Sequence, residues 1–197
     1  GFGSKSTDEI QGEVGGSLKK PYEFDGRSLM TMGFGHAFMT TPIQVAMAFG
    51  AVANGGYLMK PRIIKEWQDS SGMVLEKNEP YKVRRMVSES VAAKLREMLR
   101  GVVSSGTALS VNSKILPGIE FSGKTGTAEK TTIDLENNAW MVAFAPYNDD
   151  DPTVQPEIAI CVYIPHGYSG SYCSRTVRDI VYYHLEHRLL DTEDFMA

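Results

Sequence analysis

The period of the apolar residues changes several times along this chain, and each change marks an element. Ile43, Val45, Ala46, Met47, Phe49, Val52 and Ala53 are apolar almost all round a helix, the pattern of a buried one. Thr41 can cap that helix, Pro42 fits its first turn, and Asn54-Gly55-Gly56 accepts the left-handed backbone at which helices end. Behind a Ser88 cap, with Glu89 in the positive first turn, Val91, Leu95, Met98, Leu99 and Val102 recur at 3.6-residue spacing. An amphipathic helix is predicted there, stopping near Ser104-Ser105-Gly106. From Arg175 a last helix is predicted, with Val177, Ile180, Val181, Leu185 and Leu189 on one stripe.

Between the helices the pattern turns extended. Tyr57 to Trp67 reads as strand and loop around Pro61, and Asp69-Ser70-Ser71-Gly72 supplies the turn of a short hairpin. Three strands are predicted later: one from Glu120 through Lys124-Thr125-Gly126-Thr127, one over Asn138 to Ala145 ended by Pro146, and one over Glu157 to Ile164. The third is nearly all apolar, which predicts burial on both faces. Gly167 and Gly170 loosen the connection that follows, and residues 1–33 read as loop with short extended pieces. Three strands and a closing helix imply an α+β (mixed α/β) fold, an antiparallel sheet flanked by helices.

A length of 197 residues fits one domain with a sizeable core. The net charge of −4 offers no basic footprint for nucleic acid. No apolar run reaches the roughly 18 residues of a membrane span, and residues 1–20 lack a signal-peptide layout. Opening on Gly1-Phe2-Gly3 without Met, the chain reads as a segment of a longer protein. Cys161 and Cys173 do not form a C-x-x-C pair; two free thiols are preferred, with a disulfide open in an oxidising compartment. His184 and His187 share a helix face but have no third ligand, so they read as surface residues, and Asp149-Asp150-Asp151 reads as a solvated loop.

The chemistry concentrates in Gly123-Lys124-Thr125-Gly126-Thr127-Ala128. A lysine and two hydroxyls suit a carboxylate, and the glycines let a substrate lie against the backbone. The two-residue period of a strand puts Thr125 and Thr127 on one face. Lys124 as an ordinary edge-strand charge is the alternative. Trp140 and Phe144 read as core.

Ordered pieces across the chain resemble the transpeptidase domain of class B penicillin-binding proteins, members of the penicillin-recognising serine enzymes with S-x-x-K, S-x-N and K-T-G elements. These are Gly1-Phe2-Gly3 with Gly12-Glu13, Gly33-Phe34-Gly35, Thr41-Pro42-Ile43-Gln44-Val45-Ala46, Ala53-Asn54-Gly55-Gly56, Gly106-Thr107-Ala108, the K-T-G-T-A run, and Asn138-Ala139-Trp140 to Ala145-Pro146. The resemblance implies that residues 1–197 form the C-terminal part of such a domain, an incomplete transpeptidase or serine β-lactamase-like fold. It implies acyl transfer on peptidoglycan stem peptides ending in D-Ala-D-Ala, with β-lactams trapping the serine, and it calls for no cofactor or metal. Lys124 would supply positive charge and organise the serine hydroxyls of the centre. Thr125 and Thr127 would bind the terminal carboxylate, the Thr127 N–H would form half the oxyanion hole, and Gly126 would leave room for the ligand. The family's place is the extracytoplasmic side of the bacterial membrane, where a cell-wall synthesis complex is a possible partner.

Two short matches depart from the family's order. Ser17-Leu18-Lys19-Lys20 spells S-x-x-K, but Gly15-Gly16 precede it and Pro21 pushes Lys20 out of helical conformation. Ser110-Val111-Asn112 spells S-x-N between the G-T-A and K-T-G elements, where the family has a surface loop. The expectation is therefore a chain that holds one wall of the site, lacks the nucleophile, and leaves apolar faces uncovered where an N-terminal half is missing. A non-catalytic β-lactam-sensing or docking module, or a β-lactamase relative, are the alternatives.

Overall fold

The computed structural model describes residues 1–111, 119–129, 136–151 and 153–187. Its helices are α1 (Ser28–Gly33), α2 (Pro42–Ala53), α3 (Glu89–Ser104) and α4 (Cys173–His187). Its strands are β1 (Tyr57–Met59), β2 (Glu66–Gln68), β3 (Val74–Lys77), β4 (Lys82–Arg85), β5 (Glu120–Ala128), β6 (Asn138–Tyr147) and β7 (Ile158–Ile164). Among the described residues no helix is long and apolar enough to cross a membrane.

Local hydrogen bonds start α2 and α3 where the sequence places them. The Thr41 hydroxyl accepts from Gln44 N at 3.4 Å while Gln44 Oε1 accepts from Thr41 N at 3.0 Å, a reciprocal cap on α2. The buried Gln44 amide also donates to the carbonyls of Ser4 and Gly15, both at 2.8 Å, and so ties the N-terminal loop to the helix. Ser88 caps α3 by accepting from Val91 N at 3.3 Å. The β2–β3 hairpin turns on Asp69, whose Oδ1 accepts from the N–H groups of Ser71 and Met73.

The main sheet is antiparallel in the order β5-β6-β7. One face carries Phe121, Ala139, Met141, Ala143 and Ala145, which pack with Val103, Ala108 and Val111 and with Cys173, Val177 and Val181 of α4. Across the opposite face lies α2, in contact with β6 and β7, and α3 lies against α2 and β5. This is the predicted fold: an antiparallel sheet with helices on its faces.

Several expectations need correction, beginning with the loop predicted over residues 1–33, which holds α1 and a 3₁₀ turn over Pro21–Glu23. Strand β6 continues through Pro146 to Tyr147; the register shifts between Glu120 and Ser122, and that irregularity accommodates a residue with no N–H to give. Strand β7 is apolar but half-buried, because it is an edge strand among the described residues. Most of α2 is likewise half-buried, with Gln44, Ala51 and Ala53 enclosed, so an all-apolar helix is covered on one side. On α3 the buried stripe is Ala92, Arg96, Arg100 and Val103, while Val91 and Met98 of the predicted stripe are exposed. The two arginines are buried because each has a partner: Arg96 donates to the last carbonyls of α2, Val52 at 3.2 Å and Ala53 at 3.5 Å, and Arg100 binds Asp149, Glu120 and the Phe121 carbonyl. Finally, α4 starts at Cys173 and encloses His184, whose Nε2 lies 3.9 Å from Glu157 Oε2, while Ile180 faces solvent. His187 does lie at the surface, and Leu189 lies outside the described residues.

The sequence also gives no hint of β4, which pairs with β1. Lys82, Arg84 and Arg85 disguise it as a charged loop, yet the Arg85 guanidinium stacks 4.0 Å over the Tyr57 ring.

Candidate functional site: the open edge of β5

All four predicted site residues lie on β5, an edge strand among the described residues. They pair with β6 in the register Lys124 to Val142, Thr125 to Met141, Gly126 to Trp140 and Thr127 to Ala139. Opposed residues share a face, so Thr125 and Thr127 lie on the face of Met141 and Ala139, and Lys124 and Gly126 on the other. The ammonium and the hydroxyls thus flank one strand from two sides. Trp140, half-buried beside Gly126, lies against Tyr163 with ring centroids 4.5 Å apart and planes tilted by 45°, and Phe144 is core.

Glycines bring β5 into place. A Cβ on Gly123 would lie 2.6 Å from the Val142 carbonyl oxygen. Gly170, in the single 3₁₀ turn Gly170–Tyr172 ahead of α4, sits over the strand pair, and a Cβ there would lie 2.5 Å from both the Gly126 and Trp140 carbonyl oxygens and 2.8 Å from Gly126 N. These atoms meet as they do in a hydrogen-bonded strand pair, in which the backbone groups of Gly126 point toward β6. By alternation, Thr125 and Thr127 turn theirs to the open edge. The sequence reads Gly170 as loosening a loop; in the fold its role is close approach. Gly167 is similar, since a Cβ there would meet the Ala139 Cβ at 2.7 Å.

Each polar group on β5 has a neighbour. Lys124 is exposed, and its Nζ donates to the Thr125 carbonyl oxygen at 2.6 Å. The Gly170 N–H donates to the Thr127 hydroxyl at 3.3 Å. The Thr125 hydroxyl lies 2.6 Å from that of Thr107. Two sequence elements therefore meet here, G-T-A and K-T-G. The sequence marks Thr107 as part of an element but gives it no partner.

The short matches rejected earlier have other structures. Ser17 is extended, exchanging backbone hydrogen bonds with Met39 at 2.9 and 2.8 Å, and Lys20 has φ −74° and ψ 154°. Neither residue begins a helix that would aim a serine and a lysine together. Ser110 lies in a 3₁₀ turn over Leu109–Val111, and Asn112 lies outside the described residues.

An edge strand with a cation on one face, two hydroxyls on the other and glycine between them is suited to an extended peptide ending in a carboxylate. Comparison with known proteins agrees in kind: a model of the penicillin-binding protein transpeptidase domain matches residues 1–182. The chain belongs to that family. Among its relatives, stage V sporulation protein D of Bacillus subtilis is 34% identical over 165 residues, covering 81% of this chain and 25% of the relative. The peptidoglycan D,D-transpeptidase PbpA of Mycobacterium tuberculosis is 31% identical over 129 residues, covering 64% of this chain and 24% of the relative. These relatives are class B penicillin-binding proteins. A solved structure of penicillin-binding protein A from M. tuberculosis, an imipenem acyl-enzyme complex, superposes with a TM-score of 0.71 at 28% identity, covering 84% of this chain and 35% of that one. The chain spans about a quarter of the length of these two curated relatives.

Proposed function

We propose that this chain is the C-terminal part of the transpeptidase domain of a peptidoglycan D,D-transpeptidase, which cross-links stem peptides by serine acyl transfer outside the cytoplasmic membrane of a bacterium. The observation that carries this reading is the open edge of β5, flanked by Lys124 on one face and by the Thr125 and Thr127 hydroxyls on the other. A D-Ala-D-Ala terminus, or a β-lactam in its place, would add along that edge as a further strand. Its carboxylate accepts from Thr125 and Thr127. The Thr127 N–H faces the scissile carbonyl as one oxyanion donor, and Lys124 contributes positive charge.

The attacking serine and its lysine belong to chain outside these residues. The half-buried apolar α2 and β7, an edge strand among the described residues, support that division, because an N-terminal half could cover the one and pair with the other.

Fluorescent penicillin tests the reading. The full-length protein containing this chain forms a covalent adduct, residues 1–197 alone form none, and Lys124→Ala in the full-length protein slows acylation about 100-fold, the scale of losing an electrostatic group in such sites. Labelling of residues 1–197 alone would overturn the assignment of the nucleophile. No adduct in the full-length protein would overturn the enzymatic reading and favour a non-catalytic docking module.

A further inference from the structure

We infer that Thr107 is a positioning residue for the carboxylate clamp: its hydroxyl donates to Thr125 and so turns the Thr125 proton toward the ligand. The inference rests on the transpeptidase reading and deepens it.

A hydroxyl has one proton and two acceptor positions, whereas a carboxylate only accepts. Both clamp hydroxyls must therefore present their protons outward. For Thr127 the direction is set by chemistry: its partner is the Gly170 N–H, which can only donate, so the Thr127 proton stays available. Thr125 has a hydroxyl partner instead, Thr107 at 2.6 Å, and such a pair can run either way. An acceptor-only ligand selects one direction, Thr107 to Thr125 to carboxylate. In that chain each bond polarises the next.

The local fold fits Thr107 to this task. Gly106 closes the turn after α3, where a Cβ would lie 2.8 Å from the Val102 carbonyl oxygen. Ala108 is fully buried in the core and its N–H donates to that same carbonyl at 3.1 Å. Thr107, exposed between these two anchors, is held against β5. Each letter of the G-T-A element thereby has a physical role.

The test uses the full-length protein and measures acylation by benzylpenicillin over a range of concentrations. Thr107→Val keeps the shape and removes the hydroxyl, and Thr107→Ser keeps the hydroxyl. Thr107→Val is expected to lower the second-order acylation rate about tenfold through weaker saturation rather than a slower limiting rate, the scale of one hydrogen bond. Thr107→Ser should stay within about twofold of wild type by the same measure. The methyl ester of the same penicillin, whose carboxylate charge is masked, should show little difference between Thr107→Val and wild type. An equal loss with acid and ester would mark Thr107 as merely structural and overturn the inference. So would a Thr107→Val protein that reacts like wild type while Thr125→Val is slow, a result that leaves the transpeptidase reading standing. Failure of the wild-type protein to form any adduct overturns both.

Discussion

Arg100 grips Asp149 with two nitrogens, Nε at 2.9 Å from Oδ1 and Nη2 at 2.7 Å from Oδ2. The pair joins α3 to the loop after β6 and holds both ends of the sheet's first hairpin in position, since Arg100 also binds Glu120 and the Phe121 carbonyl. Asp149 lies in the exposed loop that the sequence predicts, as Asp150 and Asp151 do, and what the sequence does not show is its pairing with Arg100.

The Arg100 hydrogen bonds hold the Asp149 carboxyl below its ordinary pKa, with partial desolvation opposing them. A depressed folded pKa adds stability that is complete above the unfolded value, about 3.9, and is lost as pH falls through the folded one. Asp149→Asn should therefore cost about 1 kcal/mol near neutral pH, modest because solvent screens a half-exposed carboxylate. The gap between variant and wild type should shrink below about pH 4. Urea unfolding at a series of pH values checks this; a gap that widens at low pH would contradict it.

On the proposed reading, substitutions at Gly170 and Gly126 should separate folding from ligand binding. In Gly170→Ala the new methyl meets backbone oxygens that cannot give way, so a loss of about 1–3 kcal/mol or more is expected. In Gly126→Ala the nearest atom is the Trp140 Cβ at 3.4 Å, so stability should stay within about 0.5 kcal/mol while acylation slows. Chemical denaturation beside penicillin labelling distinguishes them. Equal destabilisation by both would mean that Gly126 serves packing alone.

Burial pushes the Cys161 thiol up to about 12, with Cys173 nearby adding to the shift, and burial raises Cys173 as well. Both are free. At pH 8 roughly one Cys161 in ten thousand would be thiolate, the form that reacts. A thiol reagent such as DTNB should titrate neither cysteine quickly in the folded protein and both after denaturation. Rapid folded-state reaction of one equivalent would show that β7 or α4 opens readily.

Features that rest on neighbours in sequence were legible without a structure. The Thr41 and Ser88 caps, the Asp69 turn and the face shared by Thr125 and Thr127 follow from bonds or periods a few residues long. What escaped depends on partners far along the chain. The buried face of α3 was misjudged because Arg96 and Arg100 look like surface residues until Val52 and Asp149 arrive to satisfy them. Strand β4 was hidden by charges that stack on Tyr57. Gly170 read as a source of freedom, because the contact that requires glycine is with a strand more than forty residues earlier. At the candidate site the K-T-G residues could be named from sequence, whereas the supports beneath them, Thr107 and Gly170, needed the fold.

The edge that β7 leaves unpaired among the described residues has a practical consequence. Its main-chain groups would take a further strand from any polypeptide with a matching apolar pattern, whether or not the two were covalently joined. Mixing this chain with a separately produced N-terminal partner would then be a complementation experiment, in which β7 passes from margin to interior. Amide exchange along Ile158–Ile164 would slow as the halves meet, making that strand a built-in gauge of reassembly.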